Sequence, residues 1–325
     1  MKIDICIPTY NRRDLLHTAI ESALRQSYTD IRIIVSDNAS SDGTKELMET
    51  QYASHPKIRY FRNDTNLWPL ENYRKCVYEH SKGDYILFLS DDDELFDPEY
   101  ITKAVDHLEK YPTSRIVIWN TRVAYTDIWL SFDEEKTLSE QTLWTDFFLK
   151  YGVDDYTISW CNALFHAQTA RDTSSYDCSV FYVDSDSFFR IMQYGDVGFI
   201  DTVASIYAVH AKNSYKIASL ETYLNNQSYI TRNYNFVLAL GQIPVKTLDI
   251  WKERLLSWYR INMLHNLLLF SEKPLSNTFH AISELKKDGF FPEWRFFLKI
   301  PILFIARYAI RLKPLFRLLV SYNHR

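Results

Sequence analysis

Short apolar runs alternate with helical patterns along the first third of the chain. The runs are rich in β-branched and aromatic residues and lie at residues 3–7, 31–36, 58–62 and 84–89. Between them, apolar side chains recur at the three- and four-residue spacing of a helix at residues 12–26, 43–53 and 70–81. This alternation predicts a parallel β-sheet covered by helices, in which ligands bind beyond the carboxyl ends of the strands.

The remainder of the chain divides into a mixed part and a helical part. Its pattern predicts strands at residues 115–119 and 205–210 and an extended segment at residues 157–165. It also predicts a helix at residues 140–150 and a loop entering a short helix at residues 183–195. From about residue 217 the apolar spacing is helical. We therefore predict an α/β domain over residues 1–215 and a helical extension over residues 216–325.

Four adjacent acids follow the apolar run at residues 84–89, in the segment FLSDDDEL. Carboxylates within about 4 to 6 Å of each other disfavour ionisation, so a positive partner is expected among them. A helix-capping role suits Asp97, which precedes Pro98, but it leaves Asp91, Asp92 and Asp93 unexplained. Either the three form a solvated turn, or they bind a hard divalent cation that also contacts substrate phosphates.

Two other polar stretches, PTYN and SDNASSDGT, also follow predicted strands. Tyr10 is either a structural tyrosine or an aromatic face for a planar ring. Asp37 directly follows a strand, where a carboxylate could accept a hydrogen bond from a base N–H. Asp42 to Thr44 has the composition of an ordinary turn and helix start. All these stretches should converge on one crevice.

The motifs occur in a recognisable order: IPTYN, VSDNASSDGT, KGDYILFLSDDDEL, VDSDSFFR and IYAVH. Over roughly residues 1–215 the chain resembles a family 2 glycosyltransferase of the GT-A fold, a Rossmann-like nucleotide-diphospho-sugar transferase. The resemblance implies inverting transfer of a sugar from a nucleotide diphosphate donor, with a UDP-sugar favoured, and Mn²⁺ or Mg²⁺ as the cofactor.

By position, the resemblance assigns four residues to nucleotide binding. Pro8 and Tyr10 match the residues that flank the nucleobase, and Asp37 matches the one that bonds its edge. Arg74 matches a basic residue near the nucleotide.

The resemblance also assigns a metal site. Asp92 matches the metal ligand, and Asp91 the residue that bonds the ribose or supports the metal. Ser90 stands where the family usually has an aspartate. His210 matches a histidine that contacts the metal or the diphosphate in many relatives, and a neutral imidazole can join carboxylates around Mn²⁺.

Asp184, in VDSDSFFR, matches the catalytic base of the inverting members, although Val183 replaces their usual glutamate. A carboxylate there would deprotonate the acceptor hydroxyl. The alternative is that Asp184 only caps a helix. Candidates for the acceptor side are Trp119, Asn120, Trp160 and Asn162, although core packing explains the tryptophans equally well.

The formal net charge of −4 is unevenly distributed. The tail, residues 294–325, has seven of the 37 basic residues and none of the 41 acidic ones, so it carries +7 and the rest of the chain −11. Its apolar runs are too short to span a membrane. The tail fits an amphipathic segment on an anionic membrane, or else a helix packed on the catalytic domain. Its basic residues before the terminus are Arg295, Lys299, Arg307, Arg311, Lys313 and Arg317.

These features set the expected partners and location. The four cysteines have no CxxC spacing, which is typical of reduced residues in a cytosolic protein. We expect a glycan acceptor, lipid-linked and used in cell-surface polysaccharide synthesis, and no nucleic acid partner. The expected location is the cytoplasm, peripheral at the inner face of the cell membrane. The competing hypothesis is a noncatalytic member of the same fold that binds a nucleotide sugar or a partner protein.

Overall fold

The computed structural model describes residues 1–125, 130–134, 136–151, 158, 160–177, 183–209, 219–271, 273–292, 296–297 and 300. The chain forms two compact units. The first comprises Met1–Ala124 and Ser131–Ala208, and the second comprises Tyr125–Leu130 and Val209–Arg325. The candidate ligand His210, the cysteine Cys178 and all six tail residues named above lie outside the described residues.

The first unit begins with alternating strands and helices. They are β1 (Ile3–Thr9), α1 (Arg13–Leu24), β2 (Ile31–Asp37), α2 (Thr44–Leu47), β3 (Ile58–Arg62), α3 (Pro69–Lys75) and β4 (Tyr85–Phe88). Helices α2 and α3 each continue into a π-helical turn, at Met48–Tyr52 and Cys76–His80. All seven elements fall on the segments that the apolar pattern predicts.

The rest of the first unit contains ten elements. They are β5 (Glu94–Leu95), α4 (Tyr100–Lys110), β6 (Ser114–Tyr125), β7 (Leu130–Glu134), β8 (Gln141–Thr142), α5 (Trp144–Lys150), β9 (Ala163–His166), α6 (Ala167–Asp172), α7 (Val183–Met192) and β10 (Asp196–Val209).

Five predictions in this part were wrong in extent. The helix predicted at residues 140–150 begins only at Trp144, after strand β8. Strands β6 and β10 have 12 and 14 residues, because polar side chains and Gly198 interrupt the apolar runs that mark strands in the sequence. A 3₁₀ turn, Trp160–Asn162, breaks the predicted extended segment. Helix α7 begins at Val183, where we expected a loop.

One sheet runs through the first unit in the order β3-β2-β1-β4-β9-β6-β10-β5, with β7 beside β6 and β8 beside β10. Strands β1 to β4 are parallel, and β9 is antiparallel to both β4 and β6. The parallel register aligns Thr9 with Asp37 and Asp37 with Arg62. Strands β1, β2 and β4 are buried along nearly their whole length, and Thr9, Ser36 and Asp37 stand at the carboxyl ends of β1 and β2.

The second unit is helical where it is described, with α8 (Leu220–Asn226), α9 (Ser228–Leu240), α10 (Val245–Phe270) and α11 (Pro274–Lys287). The Ser219 hydroxyl accepts the Thr222 N–H at the start of α8, and Gly241, with φ of 66°, ends α9. The Tyr259 hydroxyl of α10 donates to the Tyr223 carbonyl at 2.7 Å. Within the described residues, every helix is too short or too polar to cross a bilayer.

Asp4 is a fully buried carboxylate in β1. It accepts two hydrogen bonds from Arg32, at 2.8 and 2.7 Å, and one each, at 2.7 Å, from the Ser81 hydroxyl and the Lys82 and Gly83 N–H groups. A Cβ at Gly83 would lie 2.9 Å from Asp4 Cγ, so this turn requires glycine. Asp4 therefore fixes the turn that leads into β4 and its acids.

Replacing Asp4 should strongly destabilise the protein. Asp4→Ala leaves Arg32 and two backbone N–H groups without their acceptor, and breaking a buried ion pair in this way costs about 3–5 kcal/mol. Denaturant unfolding followed by circular dichroism measures the loss. The control is Asp64→Ala, which removes an exposed carboxylate. A loss for Asp4→Ala no larger than that of the control would contradict this account.

Candidate active site

The loops after β1 and β2 are tied together by hydrogen bonds. The Asn11 N–H donates to the Ser40 hydroxyl at 2.9 Å, and Asn11 Oδ1 accepts the Ser41 N–H at 2.7 Å. Asn11 and Ala39 both have left-handed backbones, with φ of 53° and 65°. The Leu89 N–H, just beyond β4, donates to Cys6 in β1 at 3.0 Å. The three polar stretches therefore meet at one edge of the sheet, as the sequence predicts.

One arginine bridges the two central acids. Arg12 Nη1 donates to Asp91 Oδ1 at 2.8 Å and to Asp92 Oδ2 at 2.9 Å. The Thr9 hydroxyl donates to the other oxygen of Asp91 at 2.7 Å. Burial raises the pKa of Asp91 to about 6; Arg12 opposes this rise and the charge of Asp92 adds to it. The positive partner that the acids require is therefore supplied by the chain itself.

Asp93 points elsewhere. Its Oδ1 accepts the Ala208 N–H at 2.8 Å, near the end of β10, and the side chain is almost wholly buried. Burial raises the pKa of Asp93 well above its usual range, with the charge of Asp92 adding to the rise, while the Cys161 thiol opposes it. Asp93 therefore joins the acidic loop to β10. Its partner Ala208 stands two residues before His210 in the sequence.

The acids suit a hard cation. The carboxylate oxygens of Asp91 and Asp92 already contact one positive group, the Arg12 guanidinium. Carboxylate oxygens are also the ligands that Mg²⁺ and Mn²⁺ prefer. Among the described residues, no three His, Cys, Asp or Glu side chains form a complete ligand set. Mg²⁺ in proteins commonly keeps several waters and takes only one or two carboxylates together with substrate phosphates.

A row of stacked aromatic rings runs from the acids toward Asp184. Trp160 stacks on Tyr73 with ring centroids 5.2 Å apart, and on Tyr176 at 5.7 Å. Burial raises the pKa of Tyr73, and the charges of Asp91 and Asp92 add to that rise. At the other end, burial raises the pKa of Tyr176, and the charge of Asp184 adds to it. The row therefore links the two predicted parts of the site.

Asp184 lies in the first turn of α7. Its Oδ1 accepts the N–H of Ser185 at 2.8 Å, so it satisfies one donor at the helix start. Burial raises its pKa to about 6. A half-buried carboxylate that titrates near neutral pH has the properties of a general base. The geometry is compatible with both the capping and the catalytic interpretation.

The nucleobase candidates occupy different environments. Pro8 is buried within β1, whereas Tyr10, just past the strand, is 44% exposed. Asp37 is fully buried: Oδ1 accepts the Ser40 N–H at 2.8 Å, and Oδ2 accepts the Tyr60 hydroxyl at 2.6 Å and an Arg62 N–H. Asp37 is therefore held in place at the strand end by three donors.

Two groups of candidates have other partners. Arg74 pairs with Glu71 at 3.1 Å and with Asp177 at 2.8 Å, and not with the acidic loop. Trp119 is a core residue that donates to Ser205. Two further acceptor-side candidates, Asn120 and Asn162, are also buried.

Sequence reasoning missed Arg12 and Tyr73. The arginine that follows PTYN was a visible signal, because a basic residue at one strand end can reach acids at the next. A surface cavity of about 310 Å³ lies between α1 and α2, and Arg13, His17 and Glu46 are among the residues that line it.

Comparison with known sequences agrees with the geometry. The profile described as "Glycosyl transferase family 2" matches residues 4–165. This part of the chain belongs to that family. A Campylobacter jejuni relative, GalNAc(5)-diNAcBac-PP-undecaprenol beta-1,3-glucosyltransferase, is 36% identical over 94 residues, which cover 29% of this chain and 30% of the relative. Abequosyltransferase RfbV of Salmonella typhimurium is 40% identical over 98 residues, 29% of each chain. The alignments thus span about a third of these relatives.

Solved glycosyltransferases share the fold. S. aureus TarS 1–349, in complex with UDP-GlcNAc, superposes with a TM-score of 0.65 at 14% identity, covering 96% of this chain and 88% of that one. Mannosyltransferase PcManGT from Pyrobaculum calidifontis, in complex with GDP-Man and Mn²⁺, gives 0.55 at 15% identity, covering 98% and 83%. The predicted GT-A fold with a helical C-terminal region is confirmed.

The half-buried charge of Asp184 should lower the stability of the folded protein above pH 6. Its carboxyl titrates at about 6 when folded, against an ordinary value of 3.8, so the cost is absent below pH 3.8 and complete above pH 6. Asp184→Asn should therefore stabilise the protein by about 1–3 kcal/mol at pH 7.5, and the gain should shrink between pH 6 and 4.

Denaturant unfolding at several pH values measures this difference, with Asp64→Asn as the exposed control. An Asp184→Asn variant that is no more stable than the wild type at pH 7.5 would show that the site does not strain this carboxylate.

Proposed function

We propose that the chain is an inverting, metal-dependent glycosyltransferase of cell-surface polysaccharide synthesis. It transfers a sugar from a nucleotide diphosphate donor, with a UDP-sugar favoured, to a hydroxyl of a lipid-linked glycan. The observation that carries the proposal is the pair Asp91 and Asp92, drawn around one positive charge at the sheet edge. The aromatic row that leads from this pair toward Asp184 supports it.

The donor side uses the strand ends. Asp92, with Asp91 beside it, would hold Mn²⁺ or Mg²⁺, and His210 would be a further ligand. When bound, the cation would neutralise the charge of the departing nucleoside diphosphate. Exposed Tyr10 offers its ring to the nucleobase, and Asp37 orients the loop around it. The TarS and PcManGT structures support this ligand class, since one is a complex with UDP-GlcNAc and the other a complex with GDP-Man and Mn²⁺.

The acceptor side uses Asp184. Its carboxylate takes the proton from the acceptor hydroxyl as that oxygen forms a bond to the anomeric carbon of the sugar. The bond from that carbon to the diphosphate oxygen breaks on the opposite face, and its electron pair leaves with the nucleotide. With a pKa of about 6, Asp184 is ionised at neutral pH and is still more basic than an ordinary aspartate.

The acceptor and the location rest on two observations. The C. jejuni relative is named for a polyprenyl-diphosphate-linked glycan, which supports a lipid-linked acceptor for this chain. The acid-free tail, with its +7 charge, supports peripheral association with the anionic inner face of the membrane. An enzyme bound at this surface would lie close to a lipid-linked acceptor.

Removing either acid should abolish transfer without unfolding the protein. The donor is first identified by thermal shift with Mn²⁺ against UDP-, dTDP-, GDP- and CDP-sugars, because a ligand of the folded state raises the apparent stability. Asp92→Ala and Asp184→Ala should then each release nucleoside diphosphate from that donor at least about 10²-fold more slowly.

The matched control is Asp172→Ala, which removes an exposed carboxylate on α6. Full activity in either acid variant would contradict the proposal. A wild-type protein that binds a donor but never transfers its sugar would favour the noncatalytic alternative.

A further inference from the structure

Arg12 is more exposed to solvent than the two acids with which it pairs. Its side chain is 30% exposed, whereas those of Asp91 and Asp92 are only 6% and 9% exposed. Water therefore screens the two acids poorly, and the guanidinium is a counter-charge in direct contact with both. A single nitrogen, Nη1, serves both carboxylates.

This arrangement places a positive charge where a divalent cation would have to bind. A cation that approaches Asp92 alone meets the guanidinium within a few ångströms, and like charges repel strongly where screening is weak. A nucleoside diphosphate changes this balance. Its phosphate oxygens offer the guanidinium a new partner, and bidentate arginine–phosphate bonds are strong.

The backbone next to Arg12 is held by hydrogen bonds, whereas its side chain can change conformation. The preceding residue, Asn11, is fixed to the next loop through Ser40 and Ser41, so the point of attachment is held. The guanidinium itself is partly exposed on a long, flexible stem. Neighbouring Arg13 is more exposed, at 51%, and pairs with Asp14 away from the acids. Arg12 alone of these two arginines can exchange the acids for a phosphate.

We infer that Arg12 makes divalent-cation binding conditional on the nucleoside diphosphate. Without a donor, its guanidinium holds Asp91 and Asp92 and opposes the cation. With a donor, it turns to a phosphate oxygen and leaves the acids to the metal. This role rests on the proposed function, since it requires that the acids hold a cation. It would keep the site selective for the cation–diphosphate pair over the free metal.

Titration with Mn²⁺ tests this role without any assay of activity. Free Mn²⁺ is measured by electron paramagnetic resonance for the full-length wild type, Arg12→Gln, Arg12→Lys and Arg13→Gln, each alone and with UDP or GDP. Without nucleotide, Arg12→Gln should bind Mn²⁺ at least about tenfold more tightly than the wild type, because a repelling charge is gone. The nucleotide should tighten binding much less in this variant than in the wild type.

The two other variants are matched controls. Arg13→Gln removes a neighbouring arginine and should behave as the wild type, and Arg12→Lys keeps the charge and should lie close to it. If loss of the counter-charge lowers the melting temperature of Arg12→Gln, Mn²⁺ alone should raise that temperature more than it raises the wild type's.

The outcomes separate the two claims. Equal Mn²⁺ affinities for Arg12→Gln and the wild type without nucleotide would overturn the inference, while nucleotide-dependent binding in both would leave the proposed metal site standing. If none of the four proteins binds Mn²⁺, with or without UDP or GDP, then both the inference and the proposed metal dependence fail.

Discussion

The arrangement of the first unit depends on how it tolerates adjacent negative charges at one edge of its sheet. Strand β4 leads into Asp91, Asp92 and Asp93 at the carboxyl ends of the parallel strands, where burial and the neighbouring carboxylates raise the pKa values of Asp91 and Asp93. The chain provides two kinds of partner for these three acids. Arg12 bridges the first two acids, while the backbone of β10 receives the third. The fold therefore neutralises these carboxylates with its own arginine and backbone N–H groups before any ligand arrives.

Buried polar contacts make this edge rigid. Asp4 fixes the turn before β4, as described above. Next to Asp37, the Ser36 hydroxyl donates to Asn72 at 2.8 Å, and Asn63 donates to Asn72 at 3.0 Å and to Asn38 at 3.1 Å. Because every member of such a network is hydrogen-bonded, the network specifies one loop conformation. The destabilising burial of charge is then confined to the acids. A site that must bind a charged donor gains from such pre-organisation.

The sequence was informative where the chemistry is local. Alternating strand and helix patterns were sufficient to predict β1 to β4, and parallel topology then required the acids and Asp37 to share an edge. Side-chain partners were not predictable in this way. Thr9 and Asp91 are 82 positions apart, and Arg12 and Asp91 are 79 apart, so neither pair leaves a spacing signal. Asp37 was predicted from its position directly after a strand, whereas Asp184 was predicted only because its motif resembles that of a known family.

The central claim is that the acids at the sheet edge form a donor site for a cation and a diphosphate. A crystal structure of the protein with Mn²⁺ and UDP, with anomalous diffraction from manganese, tests it most directly. We predict a manganese peak bonded to Asp92 and to the diphosphate, with the Arg12 guanidinium moved from the acids to a phosphate oxygen. A diphosphate bound elsewhere, such as in the cavity between α1 and α2, with Arg12 still bridging Asp91 and Asp92, would contradict the account.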